Sequence, residues 1–254
     1  MKSNDISTID FCDIKLVCAT RDEFAKFAIE KSREYKSIIS YSLNGESLAK
    51  YHNDASFPPL FLHADYVHAD GMSIVKASKL LCKPSLPERI ATTDWFHDVA
   101  KLCEETGETH YFLGGSQETI EKTIQNVQRA YPLLNIVGYR NGYFDENQLK
   151  QVVDEINECS PHFVWVGLGR PKQENVSALL KRDTKVGVIK TCGGLFDFLA
   201  GSNRRAPMLL QKIGMEWAFR LSLEPRRLFK RYFVTNYQSL IIFMKYYVQN
   251  KQTK

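Results

Sequence analysis

Short apolar segments alternate with longer amphipathic segments through most of this 254-residue chain. The apolar segments are rich in β-branched and aromatic residues and predict strands at Ser37–Ser42, Leu60–His63, His110–Leu113, Asn135–Gly138, Phe163–Gly167 and Val186–Thr191. The intervening segments predict helices at Glu46–Asp54, Asp94–Thr106, Gln117–Tyr131, Glu146–Cys159 and Lys172–Arg182, with Ser116 and Asp145 as N-caps. This alternation predicts an α/β fold, in which a mostly parallel sheet carries helices on both faces.

Three glycine-containing loops follow predicted strands and precede helices, at residues 113–116, 167–174 and 192–197. In parallel sheets, ligands bind beyond the C-terminal strand ends. Glycine lets the backbone approach a ligand closely, and helix N-termini present free N–H groups to phosphate. We therefore expect a nucleotide or nucleotide-sugar pocket at this edge, with Gly114 and Gly115 among its residues. The chain has no complete dinucleotide-binding or P-loop motif, so those two site classes are not indicated.

Positive charge is concentrated at the C-terminal end of the chain. Residues 204–254 contain eleven Lys or Arg and two Glu, whereas the whole chain has a net charge of +5, so residues 1–203 are net acidic. We place a domain boundary here, between a catalytic body (residues 1–203) and a basic helical appendage (residues 204–254). Such asymmetry indicates a polyanionic partner, namely phosphate, nucleic acid or an anionic membrane. A solvated helical tail is the alternative.

Apolar side chains of the appendage recur at helical spacing and form a stripe, defined by Phe229, Phe233, Tyr237, Leu240, Met244 and Tyr247. Flanking Lys and Arg residues make this pattern typical of a helix that lies on an anionic membrane surface. Packing of the stripe on the body or on a second copy of the chain is the alternative. An exposed amphipathic helix also favours a homo-oligomer.

The six cysteines are scattered without a C-x-x-C pair, which is typical of free thiols in a reducing compartment. The N-terminal residues do not resemble a secretion signal, and the longest apolar run, residues 240–244, is too short to span a bilayer. We therefore expect a cytoplasmic protein.

Two His-x-Asp pairs occur close together, His63 with Asp65 and His68 with Asp70. They raise the question of a metal, but further ligands at suitable spacing and a D-x-D motif are missing, so we expect neither a metal nor a cofactor. Asp70 precedes a glycine at a strand end, and it is either a turn former or a general base. An inverting sugar transfer needs such a base and a positive charge on the departing diphosphate. Arg89 and the C-terminal arginines are candidates for that charge.

Several segments appear in the order seen in the WecG/TagA/CpsF glycosyltransferases, and the chain resembles this family. The matching segments are Ala69–Met72 with Glu88–Arg89, Phe112–Gly115, Gly142–Phe144, Val166–Glu174, Gly193–Phe198, Arg205–Pro207 and Gly214–Trp217 with Glu224–Arg227. The resemblance implies a Rossmann-like core and a metal-independent enzyme of surface polysaccharide synthesis, peripheral on the inner face of the cell membrane. It further implies inverting transfer of an N-acetylmannosamine-type or glucose-type sugar from a UDP-sugar to a polyprenyl-diphosphate-linked saccharide.

The resemblance also implies roles for individual residues. The catalytic residues would be Asp70 as the base, together with Ser42 and Arg89. The substrate-binding residues would be Asn44, Gly114, Gly115, Tyr143, Gln173, Asp197, Arg220 and Arg227. Ser42 stands where members of the family usually have threonine, and His68 lies beside the base, where it could shift the pKa of Asp70.

A non-catalytic nucleotide-binding or nucleic-acid-binding module is the alternative function. In that case the aromatic residues Tyr232, Phe233, Tyr246 and Tyr247 would stack on bases, and binding to nucleic acid would depend steeply on salt. We expect the transferase, with no nucleic-acid partner.

Overall fold

The computed structural model describes residues 5–252, without the side chains of Lys212, Arg227 and Arg231. Strands β1 (Thr8–Phe11) and β2 (Ile14–Val17) form an antiparallel hairpin beside the main sheet. The main sheet contains β3 (Ile38–Leu43), β4 (Tyr66–Ala69), β5 (Thr109–Gly114), β6 (Asn135–Arg140), β7 (Phe163–Gly167) and β8 (Val188–Thr191). Its strand order is β4-β3-β8-β7-β5-β6, with every pairing parallel. The predicted parallel sheet is confirmed.

Helices cover both faces of this sheet. In the body they are α1 (Arg21–Ser32), α2 (Gly45–Asn53), α3 (Pro58–Phe61), α4 (Met72–Leu81), α5 (Thr92–Thr106), α6 (Gln117–Ala130), α7 (Glu146–Cys159), α8 (Lys172–Asp183) and α9 (Leu195–Leu199). One apolar layer joins α1, α5 and α6 to the sheet face that carries Trp165, and the other joins α2, α4, α7 and α8 to the face that carries Val164. Adjacent residues of a strand point to opposite faces, so β7 contributes to both layers.

The sequence prediction is wrong at Leu60–His63, which was expected to be a strand. Pro58 and Pro59 start α3 instead, because proline lacks an N–H and fits the first turn of a helix. Leu62 is 83% exposed, so it does not belong to a buried strand. The strand next to β3 is β4, which begins at Tyr66, three residues after His63. The hairpin, α1 and α4 were not predicted.

The appendage forms α10 (Met208–Ile213), α11 (Glu216–Leu223) and α12 (Pro225–Gln252). Helix α12 packs on α2 and α4 through Ile242 and Phe243, and the Ser239 hydroxyl donates to the Gly45 carbonyl oxygen at 2.7 Å. The stripe faces away from these contacts, since its six side chains are 40–71% exposed. The body therefore leaves much of the stripe uncovered, and its binding to a membrane or to a second copy stays a prediction.

None of the helices in residues 5–252 combines the length and the apolar character needed to cross a bilayer.

Candidate active site

A cavity of about 660 Å³ opens at the C-terminal edge of the sheet, between the body and the appendage. Its volume lies in the range of small-molecule sites. Segments that follow β3, β4 and β8 form one wall, and α10, α11 and α12 form the other. Its polar lining includes Ser42, Asn44, Glu46, Asp70, Lys76, Arg89, Arg170, Gln173, Cys192, Glu216, Trp217, Arg220 and Asn236. The expected pocket at this edge is present, although not all of the glycine loops reach it.

Asp70 follows β4 directly, where the chain bends over the end of β3. Its backbone N–H donates to the Leu43 carbonyl oxygen at 2.8 Å, and its carboxylate accepts long hydrogen bonds from the Thr92 N–H and hydroxyl at 3.4 and 3.5 Å. Burial raises the pKa of Asp70, and the positive charges of Arg89 and Lys190 oppose that rise. A carboxylate with a raised pKa is a better proton acceptor near neutral pH than an ordinary aspartate.

Three carboxylates line the cavity in the part of the chain that the structure describes. Glu46 pairs with Lys50 at 2.9 Å, and Glu216 pairs with Arg89 at 2.9 Å. Asp70 has no cationic partner within 4 Å among the described side chains. It is therefore the carboxylate in the cavity that is available to accept a proton.

Cationic side chains surround the same space, and those described are Lys76, Arg89, Arg170 and Arg220. The Lys76 ammonium donates to the Ile213 carbonyl oxygen at 2.8 Å, and the Arg220 guanidinium lies 4.8 Å from the centre of the Phe198 ring. Neither of these two cations pairs with a described carboxylate, whereas the other two do. Lys76 and Arg220 can thus bind an anionic ligand without first breaking an ion pair with a carboxylate of the protein.

The N-terminus of α4 also faces the cavity, through Gly71, Met72 and Ser73. Gly71 is the N-cap, so no side chain caps the N–H groups of the first turn. Uncapped N–H groups and the helix dipole favour an anion, and phosphate is the usual ligand at such a position. Together with the two cations, this edge of the cavity suits a diphosphate.

Arg89 belongs to an ion network that joins the body to the appendage. Its guanidinium contacts Glu216 at 2.9 Å and Asp94 at 3.7 Å, and Arg205 contacts the same two carboxylates at 3.4 and 2.8 Å. The charge of Arg89 is therefore already matched by the protein. The action of Arg89 on a leaving group stays a prediction.

Three other predicted residues lie at the cavity and also support its walls. The Ser42 carbonyl oxygen accepts from Arg170 at 3.0 Å, and the Asn44 side chain caps α2 by accepting a backbone N–H at 2.9 Å. Gln173 is 3% exposed, and its side-chain oxygen accepts the Gly193 N–H at 3.2 Å. The structure brings these residues together with Asp70, and their contacts with substrate stay predictions.

Four predicted substrate-binding residues do not line the cavity: Gly114, Gly115, Tyr143 and Asp197. Gly114 has a φ of +141°, and an added Cβ would lie 2.1 Å from the Gly167 carbonyl oxygen, so glycine is required there for the close approach of β5 and β7. Tyr143 is 82% exposed. The side chain of Arg227 lies outside the described residues.

The two His-x-Asp pairs do not converge. Asp65 binds Lys181 with oxygen–nitrogen distances of 2.7 and 2.6 Å, and His63 is exposed. His68 is fully buried, with its ring centre 5.5 Å from that of Phe24. The described residues contain no cluster of three or more His, Cys, Asp or Glu that could hold a metal.

Sequence reasoning gave no role to Lys76, Arg170, Trp217 or Asn236, although all four line the cavity. Lys76 lies on α4, four residues after Met72, and a prediction of that helix would have placed both side chains on one face. Arg170 and Trp217 belong to segments that carry the family resemblance. Asn236 gives no local signal, since its place depends on the docking of α12.

Comparison with known proteins matches residues 9–253 to the glycosyl transferase WecG/TagA/CpsF family. A relative from Bacillus spizizenii, named N-acetylglucosaminyldiphosphoundecaprenol N-acetyl-beta-D-mannosaminyltransferase, is 29% identical over 231 residues, which cover 89% of this chain and 86% of that protein. The resemblance inferred from the motifs is confirmed. The chain therefore belongs to the WecG/TagA/CpsF family of glycosyl transferases.

Proposed function

We propose that this protein transfers a sugar from a UDP-sugar to a saccharide carried on a polyprenyl diphosphate, with inversion at the anomeric carbon. The family supports glycosyl transfer, and the name of the Bacillus relative supports an N-acetylmannosamine-type sugar and a lipid-diphosphate-linked acceptor. A glucose-type sugar is the alternative donor. The product would be a precursor of a surface polysaccharide. The observation that carries the proposal is the Asp70 carboxylate, which has no cationic partner within 4 Å among the described side chains and lies in a cavity lined by cations.

Asp70 is the proposed general base. Its carboxylate accepts the proton of the acceptor hydroxyl while that oxygen attacks the anomeric carbon. The bond between the anomeric carbon and the UDP oxygen breaks in the same step, and UDP leaves with the electron pair. A positioned base of this kind contributes roughly 100-fold to 10,000-fold to the rate.

Protein cations are proposed to stabilise the departing diphosphate. Arg220 and Lys76 line the cavity without a carboxylate partner among the described residues, and the N-terminus of α4 adds uncapped N–H groups. Arginine binds phosphate oxygens with two parallel hydrogen bonds and keeps its charge at every working pH. These groups supply the positive charge that the leaving UDP needs, so we propose a reaction that requires no metal.

The nucleophiles of the cavity support a single displacement. A retaining double displacement needs one group that attacks the sugar and a second that transfers the proton. Burial raises the pKa of the Cys192 thiol to about 12, so this thiol is protonated at neutral pH. Glu46 and Glu216 are both paired with cations. Among the carboxylates and thiols of the described lining, Asp70 alone is left to take part in the chemistry, and a single such group fits inversion by one displacement.

The stripe lies next to the cavity, and its binding to a membrane would bring the cavity close to a lipid-linked acceptor. Leu240 belongs to the stripe and also lines the cavity, and basic residues such as Arg226 and Lys230 flank the stripe. A helix with this pattern binds an anionic membrane surface through buried apolar side chains and surface cations. We propose that the protein is peripheral on the inner face of the cell membrane, with the cavity open towards the lipid-linked saccharide.

A donor and acceptor screen tests the proposal. UDP-sugars are incubated with short-chain lipid diphosphates that carry one or two sugars, and the linkage in the product is determined by NMR. We expect transfer from one UDP-sugar with inverted configuration, unchanged by EDTA. Retention would overturn the single displacement, and restoration of EDTA-treated protein by a divalent ion would overturn metal independence. Salt-dependent binding to nucleic acid without any turnover would favour the non-catalytic alternative.

A further inference from the structure

Lys190 is a fully buried lysine in the middle of the sheet. It lies on β8, is 0% exposed, and pairs in register with Ser40 on β3 and with Trp165 on β7. Lysine is almost never fully buried without a partner, since taking its charge out of water costs several kcal/mol. We therefore expect a negative charge close to the buried ammonium group of Lys190.

The ammonium group of Lys190 is directed towards the cavity end of the strand. Its Nζ atom donates to the Thr191 carbonyl oxygen at 2.6 Å, one residue nearer the C-terminal edge of the sheet. Ser40 and His68 lie on the same sheet face by register. Burial, and to a lesser extent the charge of Lys190, lowers the pKa of His68 well below its usual range, so that ring is neutral. The immediate polar neighbours thus do not balance the charge of Lys190.

Asp70 follows His68 by two residues at the cavity end of β4, on the side of the sheet that Lys190, Ser40 and His68 share by register. Its N–H bond to Leu43 brings the chain over the end of β3, the strand that separates β4 from β8. The charged groups that act on Asp70 include Arg89, Lys190, Glu216 and Arg205. Those that act on Lys190 include Asp70, Cys192, Arg170, Glu174 and the ring of His68. Arg89 already pairs with carboxylates, whereas Lys190 has no carboxylate within 4 Å among the described residues.

We propose that Lys190 is a positioning residue for the transfer reaction, whose buried ammonium balances the charge of Asp70 from the sheet side and keeps this carboxylate ionised and directed into the cavity. The proposal rests on the proposed role of Asp70 as the base. Lys190 does not line the cavity, so it acts through Asp70 and does not touch the substrate.

The electrostatics of the pair agree with this placement. Burial lowers the pKa of Lys190 to about 8, and the Asp70 carboxylate is the strongest influence in the opposite direction. Lys190 in turn opposes the rise that burial causes in the pKa of Asp70. Without the ammonium group of Lys190, less positive charge lies near Asp70. The pKa of Asp70 therefore rises further, and its carboxyl group stays protonated to higher pH.

The first test compares the pH profiles of kcat for the wild type, Lys190→Met and Lys190→Gln. We expect kcat at pH 7 to fall about 10-fold or more while KM for the UDP-sugar changes less than about 3-fold. We also expect the acid limb of the profile to move to higher pH by about one unit, with partial recovery of activity at pH 9. Lys181→Met is the matched control, because this lysine pairs with Asp65 away from the cavity, and its acid limb should stay in place. An acid limb that does not move in either Lys190 variant would overturn the proposal.

A second measurement needs neither a folded Lys190 variant nor activity. The titration of the Lys190 ammonium is followed by NMR of 15N-lysine-labelled protein, in the wild type and in Asp70→Asn. We expect the ammonium to lose its proton at lower pH in Asp70→Asn, since its counter-charge is gone. An unchanged titration would overturn the electrostatic coupling of Lys190 to Asp70. If the titration differs between the two proteins but the wild type transfers no sugar, the proposed function fails and the coupling stands.

Discussion

The exposed stripe of α12 provides a quantitative prediction about membrane binding. Phe229 and Phe233 are 62% and 71% exposed, and their rings stack on each other with centres 6.1 Å apart. With about 200 Å² for each side chain, the pair exposes roughly 270 Å² of apolar surface. At about 25 cal/mol per Å², complete transfer of this surface out of water is worth about 7 kcal/mol.

An interfacial helix buries its apolar face only to the boundary of the acyl chains. About half of the transfer energy, on the order of 3 kcal/mol, is therefore expected in practice, and this equals roughly a 100-fold change in partitioning. The double variant Phe229→Ser/Phe233→Ser should bind anionic vesicles about 100-fold more weakly than the wild type in a sedimentation assay. Its melting temperature should be unchanged, because the two side chains do not support the body.

Leu133→Ser is the control, since Leu133 is 76% exposed and lies outside the appendage, before β6. This variant should bind vesicles as the wild type does. Unchanged vesicle binding by the double variant would refute the membrane assignment of the stripe. If the double variant instead converts an oligomer to a monomer in analytical ultracentrifugation and still binds vesicles, the stripe is a subunit interface.

Two further predictions concern stability. Burial raises the pKa of Asp70 in the folded protein above its value in the unfolded chain. The free energy of unfolding therefore falls as pH rises from the pKa of the unfolded chain to that of the folded protein, by about 1.4 kcal/mol for each pKa unit between them. Between pH 4 and pH 7.5 the melting temperature of the wild type should therefore fall relative to that of Asp70→Asn, by about 2–4 °C for each kcal/mol; a difference between the two proteins that stays constant with pH would contradict the raised pKa of Asp70. Gly114→Ala should cost about 2–3 kcal/mol, because its Cβ meets the Gly167 carbonyl oxygen at 2.1 Å. Gly169 has a φ of +71° and no neighbour within 4 Å of an added Cβ, so Gly169→Ala should cost only about 1–2 kcal/mol. Equal denaturant midpoints for the two variants would show that the contact with the Gly167 carbonyl oxygen adds no cost.

The regular parts of the fold were predictable because their local signals agree. Strand β7 and helix α7 have the predicted bounds, and Ser116 and Asp145 cap α6 and α7 as expected. Helix α4 was not predicted, because it follows Asp70-Gly71 without a capping side chain. Leu60–His63 has the apolar character of a strand, but the two preceding prolines decide the local structure.

Local sequence signals identified a site residue where it lies at the tip of a strand, whereas Arg89, Gln173 and Arg220 were expected from the family resemblance and also line the cavity. Asp70 is such a strand-tip residue, and its position next to a glycine marks it in the sequence. Asn236 reaches the cavity because α12 docks on α2, which is a long-range contact without a local signal. Lys190 interrupts an apolar strand, but the sequence does not indicate which carboxylate shares its surroundings.

The central claim is that the Asp70 carboxylate takes the proton from the acceptor hydroxyl. The most direct measurement is the single-turnover rate of sugar transfer by Asp70→Asn, with Asp65→Asn as the control and with both variants shown to be folded by circular dichroism. We predict a loss of about 100-fold or more for Asp70→Asn and a normal rate for Asp65→Asn. A rate for Asp70→Asn above about a tenth of the wild-type rate would contradict the claim, since a general base contributes more than that.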